Sequence, residues 1–272
     1  MKNKTLSVCD VTIAYTEINA DASKTIFFLH GNSQSSNAWR KQLNSSVLSD
    51  WRLVAFDLPA HGASGFPGKQ YCAVPKLAQL LREAIKKLMD DKPYILAGIS
   101  LATNIIAEML AFDLHPSGII LAGPCVIGDN ITLEKMMKPN MHVQVLFMDD
   151  AGEQNVQLYA MDTSASRDEE DMQSILKDYH SVQKGFRSLL GESIQQGKFN
   201  DEINLLRKTN TPLLIIFGED EKVIDPGYLD EIEIPLWQNQ IFKIEGASHL
   251  VNIDEPEKFN ELAAKYAEEM FK

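Results

Sequence analysis

Six short apolar runs, at residues 26–29, 53–56, 94–97, 119–122, 213–217 and 241–244, constrain the fold of this 272-residue chain more than any other feature. A strand with one wet face alternates apolar and polar residues. Most of these runs are apolar at successive positions, so both faces of each strand must be covered, as in a parallel sheet held between helices. Helical patterns fall between them. Leu77, Leu80, Leu81, Ala84, Ile85 and Leu88 have helical spacing, residues 101–112 form a second candidate, and Phe259, Leu262, Ala263, Tyr266 and Met270 form a third. This alternation predicts an α/β fold with a mostly parallel central sheet flanked by helices. Residues 8–18 alternate more clearly and read as an antiparallel strand or hairpin beside it.

One long stretch breaks the rhythm. Between Cys125 and about Thr209 the only strand candidate is a weak one at residues 143–148. Met172, Ile175, Leu176, Tyr179, Phe186, Leu189 and Leu190 instead predict one amphipathic helix. Its first turn, Asp168 to Asp171, reads as a solvated acidic end, and Lys184 and Arg187 follow later; both choices suit the helix dipole. Because the sheet resumes near residue 213, residues 125–209 are expected to form a helical cap insertion, with residues 1–124 and 210–272 as the core.

The formal net charge of −12 argues against a nucleic-acid partner, which would repel such a surface. The three cysteines, Cys9, Cys72 and Cys125, show neither disulfide nor zinc spacing and read as free thiols in a reducing compartment. Cys125 draws notice because it follows the Gly123-Pro124 end of a strand run. The first residues are basic but lack an apolar stretch, and no run is long enough to span a bilayer. The expectation is a cytoplasmic protein with no membrane partner and no cofactor, acting on a small-molecule substrate, with a homo-oligomer left open.

The chemistry centres on Tyr94-Ile95-Leu96-Ala97-Gly98-Ile99-Ser100-Leu101-Ala102. A buried strand runs into Gly98-x-Ser100-x-Ala102, and a helical pattern follows at once. In such a sharp turn the residues two before and two after the serine nearly collide, so both must be small. The serine hydroxyl would stand exposed, with the Leu101 amide and the positive end of the helix dipole beside it. A serine that merely caps the helix is the plainer alternative.

A serine hydroxyl needs a base. His249, in Glu245-Gly246-Ala247-Ser248-His249, is the only one of six histidines that follows the last strand run. An acid to orient it belongs between Ser100 and His249 in chain order, and the segment 217–226 offers Glu219, Asp220, Glu221 and Asp225 without choosing among them. A second oxyanion donor is available after residues 26–29, where small Gly31 would let the Asn32 amide point inward. His30 reads as a packed histidine bracing that loop.

Taken in order, these segments resemble the α/β-hydrolase superfamily, along its branch of serine esterases, cofactor-free haloperoxidases and enol-lactonases. His30-Gly31 resembles the oxyanion loop. Phe56-Asp57-Leu58-Pro59-Ala60-His61-Gly62-Ala63-Ser64 resembles the family's Asp-x-Pro-Gly-His-Gly-x-Ser turn, with Ala60 replacing a glycine. Gly98 to Ala102 resembles the elbow, and Gly246 to His249 with Asp254-Glu255-Pro256 resembles the histidine loop. The resemblance implies an α/β-hydrolase fold with Ser100 as nucleophile, His249 as base and the Asn32 and Leu101 amides as oxyanion donors. The family's aspartate position, three residues past the strand-end glycine, holds Glu221 here, which favours Glu221 over Asp220 and Asp225. Dehalogenases and epoxide hydrolases of similar sequence carry aspartate at the elbow, unlike Ser100. The implied activity is hydrolysis of a small ester, thioester or lactone. C–C bond hydrolysis or perhydrolysis at the same residues, and ligand binding without turnover, are the alternatives.

Overall fold

In the computed structural model, which describes residues 3–272 apart from Asp113, Asp129 and Met141, the six runs lie side by side in one eight-stranded sheet. The strands are β1 (Lys4–Val8), β2 (Val11–Ile18), β3 (Thr25–Leu29), β4 (Arg52–Phe56), β5 (Tyr94–Ile99), β6 (Gly118–Ala122), β7 (Leu213–Gly218) and β8 (Phe242–Ile244), in spatial order β1-β2-β4-β3-β5-β6-β7-β8. The antiparallel element expected at residues 8–18 is the turn and second strand of a hairpin that starts at Lys4: β1 pairs antiparallel with β2, which pairs antiparallel with β4, and all other pairings are parallel.

The two-faced apolarity of the runs has its expected cause. In β5, Leu96 joins one buried cluster with α2 (Val74–Leu88) and α3 (Leu101–Met109), while Ile95 and Ala97 join a second with Trp39, Phe259 and Tyr266. That second face is covered by α1 (Arg40–Leu43), α9 (Val251–Asp254) and α10 (Pro256–Met270). The strand order reverses between β3 and β5. The chain leaves β3 toward β4 on one side and returns to β5 on the other, so their C-terminal ends frame a crevice of the kind in which α/β sheets bind ligands.

Between β6 and β7 lie α4 (Leu133–Met136), α5 (Glu153–Thr163), α6 (Glu169–Ser181), α7 (Phe186–Gln195) and α8 (Glu202–Lys208). Three sequence expectations change here. The weak strand at 143–148 is a 3-10 helix, His142–Phe147. The single helix through Met172 and Leu190 is two helices, broken where Val182 is extended and Gly185 takes φ 93°. The acidic turn is not wholly solvated either. Asp168 caps α6 by accepting from the Glu170 and Asp171 amides, but Asp171 is buried and pairs with Arg40 and Lys41. Arg187 consequently sits at the start of α7, where it does not complement the dipole, and it is buried.

Among the described residues, no helix is long and apolar enough to cross a membrane, and no cluster of three or more His, Cys, Asp or Glu could hold a metal ion.

Candidate active site

Ser100 stands between β5 and α3 with φ 54° and ψ −126°, a conformation that an L-residue holds only when its surroundings enforce it. Its side chain makes no capping bond to α3. The spacing rule read from the sequence has a measurable basis. A Cβ on Gly98 would lie 2.6 Å from Ile106 Cδ1 and 3.1 Å from the Ala102 backbone. A Cβ on Gly31, at the end of β3, would lie 3.0 Å from Ser100 Cβ, so this glycine lets the two strand ends converge.

The loop after β3 is fixed by two buried neutral histidines. His30 donates through Nδ1 to the Gly31 carbonyl at 2.7 Å and accepts through Nε2 from the Leu58 amide at 2.9 Å. His61 donates to the Pro59 carbonyl at 2.9 Å and accepts from the Ser33 amide at 3.1 Å. Burial lowers their pKa values to about 4 and about 3, so both rings keep one nitrogen as an acceptor. Asp57 closes the turn between them, accepting from the Ser36 and Ala63 amides at 2.7 and 2.8 Å. The Asn32 side chain is held by the Leu146 carbonyl and by Ser33 Oγ, which in turn accepts from Arg187 Nε at 2.9 Å. The backbone amides of Asn32 and Leu101 donate to no group among the described residues.

The acid and histidine loops are laced together at the ends of β7 and β8. Gly218 makes this possible, since a Cβ there would lie 2.1 Å from the Ala247 carbonyl oxygen. The Asp220 amide donates to that same oxygen at 2.9 Å. The backbone constraint turns the Asp220 side chain to solvent and the Glu221 side chain inward. His249 Nδ1 donates to Glu221 Oε2 at 2.8 Å, and Glu221 Oε1 accepts from the Val223 and Ile224 amides at 2.7 and 3.2 Å. Asp225 is exposed and accepts from the Gly227 amide. Burial works against both charges of the pair. Their mutual attraction outweighs it, holding Glu221 below the usual carboxylate range and His249 above the usual imidazole range. Asp254 anchors the histidine loop by accepting from the Ser248 amide at 2.8 Å.

Ser100 and His249 share no hydrogen bond in this structure. Cys125 neighbours both: its Sγ lies 3.9 Å from Ser100 Oγ and interacts with the His249 ring. Ser100, Asn32, Leu101 and Cys125 open onto a cavity of about 90 Å³, with Val74, Met136, Leu146, Ile194, Phe199 and Ile224 among its apolar walls. The residues singled out in the sequence thus divide: Ser100, Asn32 and Leu101 line the cavity, His249 and Glu221 pair with each other outside its lining, and Asp220 stands apart. Arg187, His61 and Asn104 were not singled out. A turn motif hinted at His61, but nothing local marked the other two, whose partners lie 154 and 98 residues away in sequence.

Solved structures share this architecture from end to end. An N-acyl homoserine lactonase, AidH, complexed with N-butanoyl homoserine superposes with a TM-score of 0.90 at 21% identity, over 100% of this chain and 98% of that one. A thermophilic esterase from Thermogutta terrifontis superposes with a TM-score of 0.80 at 16% identity, over 100% of both chains. In sequence, a haloalkane dehalogenase of Mesorhizobium japonicum is 37% identical over 70 residues, which span 26% of this chain and 22% of that relative. A model of the alpha/beta hydrolase family matches residues 26–262. A match of that extent, over the strand order and elbow described above, places this chain in the alpha/beta hydrolase family.

Proposed function

We propose that this protein is a serine hydrolase that cleaves a small ester, thioester or lactone through an acyl-enzyme. The observation that carries this reading is Ser100, held at positive φ at the head of α3 and opening on an apolar cavity that also presents two undonated amides. Ser100 Oγ attacks the substrate carbonyl and His249 Nε2 takes its proton. The Asn32 and Leu101 amides receive the oxyanion, aided by the N-terminal dipole of α3. Collapse expels an alcohol or thiol, or in a lactone the tethered hydroxyl, which His249 protonates. Water activated by His249 then frees the acid. Glu221 keeps the Nδ1–H tautomer and stabilises the imidazolium. The Ser100–His249 contact forms when substrate fills the cavity and turns Ser100 away from Cys125, since catalytic hydrogen bonds often tighten only in the complex. Residues 125–209 act as the cap, with Met136, Leu146 and Ile194 forming acyl-pocket walls. The lactonase and esterase likenesses favour esters and lactones as the first substrates to try.

A fluorophosphonate probe tests the reading. Intact protein is expected to form one adduct, on Ser100, and to hydrolyse p-nitrophenyl acetate or a simple lactone. Ser100→Ala is expected to lose both. Folded protein that takes no label and turns over neither substrate overturns the proposal.

A further inference from the structure

Glu202, in the first turn of α8, lines the same mostly apolar cavity as Ser100 and is 1% exposed. Its Oε2 is fully engaged, accepting from Asn104 Nδ2 at 2.7 Å and from the Ile127 amide at 3.0 Å. Asn104 lies one turn beyond Ser100 on α3 and also donates to the Cys125 carbonyl at 2.6 Å. Glu202 Oε1, by contrast, is buried with no hydrogen-bond partner. Holding Asn104 and Ile127 requires only one oxygen, so packing alone accounts for half of this carboxyl group.

Among the described residues, Glu108 on α3, neighbouring Asp201 and Tyr228 interact electrostatically with Glu202, and none of these three is a cation. Burial is the main reason its pKa is pushed up to about 8, with Glu108 and Asp201 adding to the shift against the Ile127 and Asn104 hydrogen bonds. At neutral pH the group is therefore a carboxylic acid. With Oε2 committed as acceptor, the proton resides on Oε1, which becomes a hydrogen-bond donor.

We propose that Glu202 is a specificity determinant whose Oε1 hydrogen-bonds an oxygen on the bound acyl chain, so that the site selects keto- or hydroxy-substituted acyl groups over plain alkyl ones. The inference rests on the hydrolase reading for its kinetic arm and is separable from it by binding.

Two measurements test it. The first compares kcat/KM for p-nitrophenyl hexanoate with that for analogues carrying one keto group moved along the chain. Taking the ratio within each protein cancels changes in overall rate. Wild type is expected to favour one keto position by about tenfold near neutral pH, the contribution of one neutral hydrogen bond. That preference should fade as pH rises through 8. Glu202→Gln, which retains an N–H donor, should keep the preference and lose its pH dependence, and Glu202→Leu should abolish it. The second measures calorimetric binding of the matched hexanoic and keto-hexanoic acids to Ser100→Ala. Turnover without any preference for a keto position overturns the Glu202 proposal alone, as would be found if a buried water capped Oε1. Preferential binding of a keto acid with no ester turnover by wild type overturns the hydrolase reading alone. A preference that survives in Glu202→Leu, or that is unchanged between pH 6 and 9 in wild type, also overturns the role of Glu202.

Discussion

The Glu221 carboxylate reaches His249 because its backbone is turned inward and its extra methylene spans the gap; Asp220, one residue earlier, is pinned by its amide to Ala247 and faces water. Glu221→Gln is expected to lower kcat by about 10³–10⁴-fold, because a side-chain amide no longer enforces the working tautomer of His249. Asp220→Asn should change it less than about twofold, and steady-state kinetics on one ester compares them. The pH profile adds a second readout. On the proposed mechanism His249 must be neutral to act as base, so activity is expected to rise with pH through its pKa, which the Glu221 charge helps to raise. Removing that charge lowers this pKa, and the acidic limb of kcat/KM should move to lower pH in Glu221→Gln. An unmoved limb would mean that Glu221 does not set the titration of the base. The residues alone placed the acid within a ten-residue segment, and the family resemblance favoured Glu221 within it. Nothing local separates it from Asp220, because adjacent carboxylates differ only in which way the loop turns them.

At the scale of elements, the strand–elbow–helix unit was legible because its requirement is local. Gly98 and Ala102 must be small wherever a strand turns this sharply into a helix. Gly98→Ala should destabilise the protein by about 1–3 kcal/mol, measured by denaturant unfolding, as its Cβ meets Ile106 and the Ala102 backbone. The α6–α7 pair was not legible. Its apolar spacing runs in phase across the break at 182–185, so periodicity alone describes one helix. The break places Arg187 where it stacks 3.7 Å over the Tyr179 ring and bonds Ser33, tying α7 to the loop that carries the Asn32 amide. Arg187→Met should therefore lower kcat by roughly tenfold while KM changes little, since a loosened oxyanion donor weakens transition-state binding more than substrate binding. A rise in KM matched by an equal fall in kcat/KM, with kcat unchanged, would assign Arg187 to substrate binding instead.

Across the whole molecule, the buried titrating groups set a pH window for stability. His30 and His61 have depressed pKa values, so the stability they contribute is present above about 6.5 and lost as pH falls toward about 4 and about 3. Glu202 is raised to about 8, so its contribution is full below 4.5 and lost as pH rises through 8; His249, raised by its pairing, loses its contribution in the same direction. Between pH 6.5 and 8 these last two act together, and Tm should fall as pH rises, by roughly 2–4 °C for each kcal/mol lost. Glu202→Gln should flatten that decline in a thermal-shift series. A wild-type Tm that rises across this interval would contradict the assignment of Glu202 as a buried neutral acid.

The sequence by itself determined the sheet, the elbow and the order of the motifs. Each rests on local or periodic constraints: apolar runs that need two covered faces, a turn that admits only small residues, and a histidine after the last strand. Only the tertiary structure decided which carboxylate meets His249, that Cys125 neighbours both His249 and Ser100, and that Glu202 and Arg187 reach the site at all. Those contacts join residues far apart in sequence through the angles of loops and the breaks in helices. Such long-range packing leaves no period or spacing in the chain to be read.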